Sequence, residues 1–320
     1  MDSKIISFCV FVEQKRVDMF ISALFTDFSR SYVQKLIDSW AVVSNNSVVK
    51  KNIKIKKYDQ ITISLRNKKS SIEAENIMLD IVYEDENLLV INKDAKVNTH
   101  PTPGEAWKSW TLVNAVLYHC WDNLPVINWI ERPWIVHRLD KDTSGLICIA
   151  KNDAMMQHMS GIFQKRSIEK YYIAIVSWKI KDQNIHIESD IGRDPQSRIR
   201  MTTRSPINPK YASTRAECIG CIDDTYSVLK VKLETGRTHQ IRVHLASIGY
   251  PIVWDSIYGC EKVNQKVATK YGVTRQMLHA RELQFSLYQK QKIFVAPFKN
   301  DMIAMLEHIT YRTWVKELQI

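Results

Sequence analysis

Residues 132–151 read RPWIVHRLDKDTSGLICIAK, and this stretch decides how the rest of the chain is interpreted. Its second part, residues 146–150, is almost wholly apolar and predicts a buried β-strand. The polar residues 137–145 before it are then a loop that leads into the strand. A loop anchored on a buried strand holds its side chains in a fixed place, as a catalytic group requires.

Asp140 is the candidate catalytic side chain of this loop. Its sequence neighbours Arg138 and Lys141 are cations, and nearby cations favour the charged form of a carboxylate. A charged carboxylate on a rigid loop can act as a nucleophile. The alternative is that the loop is an ordinary surface turn with a charged rim.

A second informative stretch covers residues 229–249. Apolar and Lys side chains alternate over residues 229–233, which predicts a half-exposed strand, and TGRT at 235–238 predicts a turn. A helix follows and ends at Gly249. Arg237 therefore lies at a corner between strand and helix, where a cation and free backbone N–H groups attract a carboxylate or a phosphate. The alternative is an Arg that only covers the domain surface.

No metal site and no organic cofactor is predicted. His239 and His244 are five residues apart and do not share a helix face well, so we interpret them as structural or RNA-facing. Cys218 and Cys221 form a C-x-x-C, but the chain has no second pair at matching spacing. The six cysteines are scattered, as expected for reduced thiols in a cytoplasmic protein.

The chain of 320 residues is basic, with a formal net charge of +11 and a pI of about 9.2. Such a balance predicts a polyanionic partner, because Lys and Arg gain free energy by displacing counterions from phosphates. Residues 1–70 hold thirteen Lys or Arg against six Asp or Glu, so most of the excess lies in this segment. No apolar run approaches the roughly 20 residues that span a bilayer, and neither a membrane association nor a signal peptide is expected.

Residues 14–65 are predicted to form a compact α/β module. Apolar side chains with helical spacing at 17–24 and 33–37 precede a strand at 61–65. The module resembles the S4 RNA-binding domain, through RVD at 16–18, SRS at 29–31, QKLI at 34–37 and Asp59. The resemblance implies that four basic residues contact RNA: Arg30, Lys35, Lys50 and Lys51. The alternative is a basic helical capping domain.

Residues 66–76 are polar and are predicted to be a linker, and residues 77–320 are predicted to be the main domain. Strands at 81–83 and 88–91 flank a polar turn. Short strands and helices then follow irregularly, without the regular repeat of a parallel sheet. We therefore expect an α+β fold with a mixed, mostly antiparallel sheet.

From about residue 80 to 300 the chain resembles the RluA-type pseudouridine synthases, which modify ribosomal and transfer RNA. The most specific segments are HRLDKDTSG at 137–145 and LETGRTHQIRVH at 233–244, in that order. Further matching segments are INK at 91–93, HP at 100–101, KYYIA at 170–174, Asp255 with YG at 258–259, and LHA at 278–280. With an S4-like module in front, the chain looks like the members that act on ribosomal RNA.

The resemblance implies a role for five residues. Asp140 matches the catalytic aspartate, Tyr172 the active-site tyrosine, and Arg237 the arginine that pairs with Asp140. Arg138 and His137 are placed against the RNA. No cofactor is implied, because the reaction needs no redox change and no metal.

The implied reaction isomerises uridine to pseudouridine. The target nucleotide leaves the base stack, and Asp140 attacks the sugar or assists glycal formation as the glycosidic bond breaks. The uracil then rotates and rebonds through C5. The expected partner is 23S rRNA or a precursor of the large ribosomal subunit, and the chain is expected to be a monomer.

Six tryptophans stand where the family has glycine: Trp40, Trp110, Trp129, Trp134, Trp178 and Trp254. Replacing a turn glycine with tryptophan removes the freedom to adopt positive φ and adds bulk. Glycine is also scarce, with 9 in 320 residues. We hypothesise that the source lineage reads the UGA codon as glycine. Asp94, where the family usually has proline, is a milder departure.

Two other functions are compatible with the sequence. A catalytically inactive RNA-binding or ribosome-assembly protein on the same fold is favoured by the tryptophans and opposed by the intact Asp140, Tyr172 and Arg237. A glycosidase or nucleosidase that uses Asp140 hydrolytically predicts release of free uracil and a second carboxylate opposite the first.

Overall fold

The computed structural model describes residues 3–12, 15–25, 28, 30–66, 72–100, 109–120, 134–197 and 199–312. Trp129, one of the six tryptophans that stand at family glycines, lies outside these residues. Among the described residues, no helix is long and apolar enough to cross a membrane.

The N-terminal module contains two helices and a four-stranded antiparallel sheet in the order β1-β4-β2-β3. Its elements are β1 (Ser3–Cys9), α1 (Val17–Leu24), α2 (Arg30–Asp38), β2 (Val42–Ser44), β3 (Ser47–Val48) and β4 (Gln60–Arg66). The two helices and the last strand lie where the apolar spacing predicts them. The predicted start at residue 14 is too late, because β1 pairs with β4 along its whole length.

A single carboxylate ties the two helices of this module together. Asp18 in α1 is fully buried and accepts two hydrogen bonds from Arg16, one from the Nε of Arg30 and one from the amide of Gln34. Burial alone raises the pKa of Asp18, but the hydrogen bonds from Gln34, Arg16 and Arg30 outweigh it and lower that pKa to about 2. The start of α2 is therefore fixed to α1 by charge.

The segment predicted to be a linker packs partly on the main domain. Ile72 contacts an apolar cluster of that domain, and the backbone N–H of Glu75 donates to the carbonyl of Asn114. The main domain therefore begins before the predicted boundary at residue 77, because these contacts lie upstream of it.

The main domain has an α+β fold with a mixed, mostly antiparallel sheet, as predicted, and its described residues form eleven strands of that sheet. Its first elements are β5 (Ile81–Glu84), β6 (Leu88–Lys93), α3 (Leu112–Cys120), β7 (Ser144–Ala150), α4 (Asp153–Lys165), β8 (Ile168–Val176), β9 (Asn184–Arg193) and β10 (Met201–Thr202). The remaining elements are β11 (Ile207–Ile222), β12 (Tyr226–Leu233), α5 (Gln240–Ser247), α6 (Glu261–Tyr271), β13 (Leu278–Leu287), β14 (Lys290–Val295), α7 (Asn300–Leu306) and β15 (Ile309–Arg312).

The strands run in the order β10-β9-β11-β12-β8-β13-β7-β6-β5, with β14 paired to β13 and β15 paired to β11. Every pairing between these strands is antiparallel except that of β13 with β7. The parallel pair lies near the middle of the sheet and brings a strand from late in the chain beside the strand that follows the loop carrying Asp140.

Helices cover both faces of the sheet around β6. Leu88 and Val90 join a cluster with Met155 of α4, whereas Leu89 joins a different cluster with Val113 of α3. Because successive side chains of a strand point to opposite faces, α3 and α4 pack on opposite sides. The strand that follows the loop carrying Asp140, β7, is buried along its whole length, as its apolar sequence predicts.

The carboxylate of Asp18 gives the N-terminal module a defined response to acid. Because the folded-state pKa is about 2 and the usual value is 3.8, this group stabilises the fold fully above pH 4, and the contribution is lost as the pH falls towards 2. Thermal unfolding between pH 5 and pH 2 should therefore show a steeper loss of stability for the wild type than for Asp18→Asn. Asp38→Asn, an exposed carboxylate of the same module, is the control, and parallel curves for all three proteins would contradict the assignment.

Candidate active site

The backbone around Asp140 is held in a tight turn. The backbone N–H of Thr143 donates to the carbonyl of Asp140 at 3.1 Å, and the hydroxyl of Thr99 donates to the carbonyl of Leu139 at 3.2 Å. The amide of Gln276 in turn donates to the hydroxyl of Thr143 at 2.6 Å. The Asp140 side chain is therefore presented from a loop with little freedom to move.

Lys93, at the end of β6, binds the backbone of the same loop. Its side chain is 1% exposed, and its Nζ donates to three carbonyls, those of Asp94, Val97 and Lys141. Burial lowers the pKa of Lys93 to about 7, although Asp142 and other nearby carboxylates oppose that change. One buried amine thus connects the end of β6 to the residue directly after Asp140.

Gly145 sets the position of the loop against the sheet. It lies at the start of β7 with φ of +111°, where β7 runs parallel to β13. A Cβ on this residue would lie 2.3 Å from the carbonyl oxygen of Ala280. Only glycine fits, because no real Cβ approaches an oxygen so closely and L-residues rarely adopt this φ.

The partner of Asp140 is Arg242. The Nη1 of Arg242 donates to Asp140 at 2.8 Å, while its Nε and Nη2 form a forked pair with Asp255 at 2.6 and 2.9 Å. Asp255 is fully buried, Arg242 nearly so, and the Asp140 side chain is 19% exposed. One guanidinium therefore links a buried carboxylate to one that reaches the surface of a cavity.

These contacts fix the charge of the pair that lies behind Asp140. Burial alone lowers the pKa of Arg242, but its hydrogen bonds and charge interactions with Asp255 and Asp140 raise that pKa well above its usual value. Burial alone would raise the pKa of Asp255, but the hydrogen bonds and charge of Arg242 outweigh burial. The pKa of Asp255 therefore lies below its usual value. Both groups stay charged over the physiological range.

The predicted pairing of Arg237 with Asp140 is wrong. The Nε of Arg237 donates to the carbonyl of Tyr211 at 3.0 Å, and its backbone N–H donates to the side chain of Gln240. The reason is the position of the helix start. Because α5 begins at Gln240, Arg237 lies in the turn before the helix, whereas Arg242 lies in its first turn and faces Asp140.

A small cavity of about 120 Å³ opens beside the carboxylate. Its walls include Arg138, Asp140, Tyr172, Arg237, His239 and Arg242. Tyr172 in β8 is 7% exposed, and burial together with the charge of Asp140 raises the pKa of its hydroxyl far above the usual value. The predicted Tyr172 and Arg138 therefore share one cavity with Asp140, and Arg237 lines it without touching the carboxylate.

His239 lies close to Asp140, a contact that sequence reasoning missed. Its Nε2 is 3.9 Å from Asp140, and its Nδ1 is 2.9 Å from the hydroxyl of Tyr258. That hydroxyl also accepts a hydrogen bond from the backbone N–H of Met201, so Tyr258 links the His239 ring to the segment around β10. Burial lowers the pKa of His239, although Asp140 opposes this. The sequence analysis used only the spacing of His239 from His244, and that spacing carries no information about the distance from His239 to Asp140.

His244 is structural, as one of the two sequence interpretations held. Its Nδ1 is 2.9 Å from the Thr214 hydroxyl and its Nε2 is 3.1 Å from the Ser189 hydroxyl. Burial lowers the pKa of His244 to about 4, so the ring is neutral. In the described part of the chain, no group of three or more His, Cys, Asp or Glu side chains could hold a metal ion.

His137, which was predicted to contact RNA, has two inward contacts. Its Nε2 accepts the backbone N–H of Cys148 at 2.9 Å, and its ring stacks on Phe163 with centroids 4.8 Å apart. Burial lowers its pKa to about 3. These contacts attach the start of the catalytic loop to β7 and α4. Contact of this ring with RNA stays a prediction.

The predicted RNA-contacting residues of the N-terminal module are all exposed: Arg30, Lys35, Lys50 and Lys51. Lys51 forms an ion pair with Asp38 at 3.3 Å, and both side chains are open to solvent. Arg30 also holds Asp18, so it has a structural role whether or not it contacts RNA. The assignment of this module to the S4 domains stays a prediction.

Comparison with known proteins identifies the family. The model for RNA pseudouridylate synthase matches residues 87–247, which include Asp140 and Arg242. The "Uncharacterized RNA pseudouridine synthase YlyB" of Bacillus subtilis is 37% identical over 302 residues, covering 93% of this chain and 95% of that protein. The "Ribosomal large subunit pseudouridine synthase D" of Zymomonas mobilis is 37% identical over 293 residues, covering 90% and 91%.

Solved structures agree with this. "Human RNA Pseudouridylate Synthase Domain Containing 1" superposes with a TM-score of 0.62 at 25% identity, covering 77% of this chain and 95% of that one. The fold and the site together define a class of enzyme with a large, mostly antiparallel sheet and a carboxylate held by a buried arginine. The chain belongs to the RNA pseudouridylate synthase family, of the RluA type, and it is an isomerase that acts on RNA.

Gly145→Ala should be strongly destabilising. The new methyl group would overlap the backbone of Ala280, and the combined overpacking and backbone strain should cost about 3 kcal/mol or more. Gly161→Ala in α4 is the matched control, because a Cβ there meets no atom within 4 Å. It should be neutral or slightly stabilising. Chemical denaturation measures both, and equal stabilities for the two variants would rule out the close approach.

Arg242→Lys should slow the reaction by about 100-fold, because a lysine keeps the charge but cannot reach both carboxylates at once. Arg237→Lys should cost less than about 10-fold, since Arg237 makes no bond to Asp140. Single-turnover rates on RNA, with melting curves to confirm folding, measure both. A larger loss of rate for Arg237→Lys than for Arg242→Lys would instead support the predicted pairing of Arg237 with Asp140.

Proposed function

We propose that the chain isomerises specific uridines in the RNA of the large ribosomal subunit, most directly in 23S rRNA. The observation that carries the proposal is the carboxylate of Asp140, held by Arg242 on the wall of a cavity that also contains Tyr172. Relatives from several bacteria carry the name "Ribosomal large subunit pseudouridine synthase D" and align over most of this chain.

The partial burial of Asp140 determines how the substrate must bind. Only 19% of its side chain is exposed, so a uridine stacked in a helix cannot bring its glycosidic bond into contact. The nucleotide therefore leaves the stack, which costs a few kcal/mol and favours loops and distorted stems. Exposed Arg138, at the mouth of the cavity, is placed to contact the displaced strand.

Asp140 acts on the sugar once the uridine is in the cavity. As the bond between C1′ and N1 breaks, its carboxylate either bonds to C1′ or removes the C2′ proton to give a glycal. The uracil leaves as an anion with the bonding electrons and rotates. Its C5 then bonds to C1′ as the Asp140–C1′ ester bond breaks or, in the glycal route, as Asp140 returns its proton to C2′. The freed carboxylate takes up the C5 proton and N1 gains one, so the product is an isomer of the substrate. Arg242 keeps the carboxylate oriented throughout, because it is itself fixed by Asp255.

Tyr172 packs against the base. Its raised pKa keeps the hydroxyl protonated at physiological pH, so it presents a neutral ring and a single donor to the uracil. An uncharged side chain allows the uracil to rotate, because a fixed charge would favour one orientation of the base. Because this hydroxyl stays protonated, it can donate a hydrogen bond to the uracil but is not the base that takes up the C5 proton.

The N-terminal module supplies affinity for the RNA backbone. Its exposed basic residues lie outside the catalytic cavity, and phosphate contacts of this kind position an enzyme without reading sequence. Binding by this module should weaken steeply as salt increases. The monomeric state and the cytoplasmic location stay predictions.

Purified wild-type protein should form pseudouridine at discrete sites when incubated with unmodified 23S rRNA. Asp140→Asn should lose at least about 10,000-fold in rate, whereas Asp182→Asn, an exposed carboxylate of a surface loop, should match the wild type. Sequencing-based mapping in RNA from cells that lack the gene identifies the sites.

Each other outcome has a definite meaning. Modification of transfer RNA alone would overturn the proposed substrate and leave the chemistry intact. Release of free uracil would make the protein a hydrolase. RNA binding without pseudouridine formation would establish the inactive alternative, which the shared cavity of Asp140, Arg242 and Tyr172 argues against.

A further inference from the structure

Every tryptophan in the described part of the chain has a left-handed backbone. The φ values are +60° at Trp40, +56° at Trp110, +62° at Trp134, +69° at Trp178 and +59° at Trp254. By comparison, only two of the thirteen tyrosines, Tyr58 and Tyr288, have positive φ. The left-handed conformation therefore follows tryptophan in particular and not large aromatic residues in general.

This conformation is one that L-residues with bulky side chains avoid. A left-handed backbone brings Cβ too close to the following carbonyl oxygen, so glycine is the residue that adopts it routinely, with Asn and Asp next. Tryptophan is normally enriched in strands. None of the five lies in a helix or a strand, and all five lie in turns and bends.

Trp40 occupies a position that glycine usually fills. It follows α2, its backbone N–H donates to the carbonyl of Ile37, and that of Ala41 donates to the carbonyl of Leu36. This pair of hydrogen bonds defines a Schellman motif, whose left-handed residue is most often glycine. The indole is 74% exposed, so the side chain gains little burial that could offset the backbone strain.

Trp254 is the third residue of a turn closed by a hydrogen bond from the Asp255 N–H to the Ile252 carbonyl. Positive φ at the third position of a turn selects glycine or asparagine. Its indole Nε1 is buried and has no hydrogen-bond acceptor among the described residues, a cost that tryptophan normally avoids. The next residue, Asp255, holds Arg242, so the turn bears directly on the active site.

The remaining three sites fit the same description. Trp110, just before α3, is 71% exposed, and Trp178, after β8, is 45% exposed. Trp134 is fully buried, and its backbone carbonyl accepts a hydrogen bond from Ala150 at the end of β7. At all five sites the backbone has the left-handed φ that glycine adopts most readily.

We propose that glycine occupies positions 40, 110, 134, 178 and 254 in the polypeptide that the source organism makes. One cause explains all five sites: a codon that is written as tryptophan is translated there as glycine. Five independent substitutions would not all fall on left-handed turn residues. The inference rests on backbone geometry and does not depend on the proposed RNA substrate.

Peptide mass spectrometry of the protein isolated from its source tests the proposal directly. Peptides that cover the five positions should each be lighter by the difference between tryptophan and glycine. Reading the gene provides the second measurement, and all five codons should be UGA. Tryptophan in any one of the five peptides, or UGG at these positions, would overturn the proposal.

Stability measurements on recombinant variants test the physical argument. Trp40→Gly and Trp40→Ala both remove the indole, but only glycine relieves the left-handed strain. The glycine variant should therefore melt on the order of 2–4 °C above the alanine variant. The same pair of substitutions at Trp254 should behave alike.

The substitution Trp134→Gly should lower the melting temperature if tryptophan is the native residue at this position. Removing a well-packed buried indole normally leaves a large cavity and lowers the melting temperature strongly. The proposal predicts that Trp134→Gly melts at or above the recombinant protein that carries tryptophan at 134, because the backbone there is left-handed. A marked fall in melting temperature for Trp134→Gly, or equal melting of the glycine and alanine variants at Trp40 and Trp254, would reject it.

Discussion

The guanidinium of Arg242 is the group on which the site depends. It is almost fully buried and divides its donors between Asp255, which never reaches solvent, and Asp140, which does. Removing Asp255 would take away the forked partner of this buried guanidinium, which is strongly destabilising. Three separate parts of the chain, the catalytic loop, the start of α5 and the turn before α6, are therefore held in one arrangement by a single side chain.

The loop that carries Asp140 reaches that arrangement through contacts of its backbone as well as of the Asp140 side chain. Thr99 and Lys93 bind carbonyls on either side of Asp140, and Gly145 allows β7 to approach β13 closely. The carboxylate is thus fixed before any RNA arrives. Preorganisation of this kind lets a charged group act without rearranging during the reaction.

Local sequence predicted what depends on local pattern. The buried strand at β7, the loop before it and the α+β class follow from apolar runs and their spacing. The partner of Asp140 could not be predicted in this way, because choosing between Arg237 and Arg242 requires knowing where α5 begins and which way its first turn faces. His239 and β1 were missed for a similar reason, since the approach of His239 to Asp140 and the pairing of β1 with β4 join distant residues.

The parallel pairing of β7 with β13 has a consequence for how the enzyme is made. Ser144 and Gly145 pair with His279 and Ala280, which leave the ribosome long after them. Contacts between residues so far apart in sequence form slowly, and domains fold during synthesis from the N-terminus. A nascent chain can therefore complete its basic N-terminal module well before the residues of the active-site cavity come together.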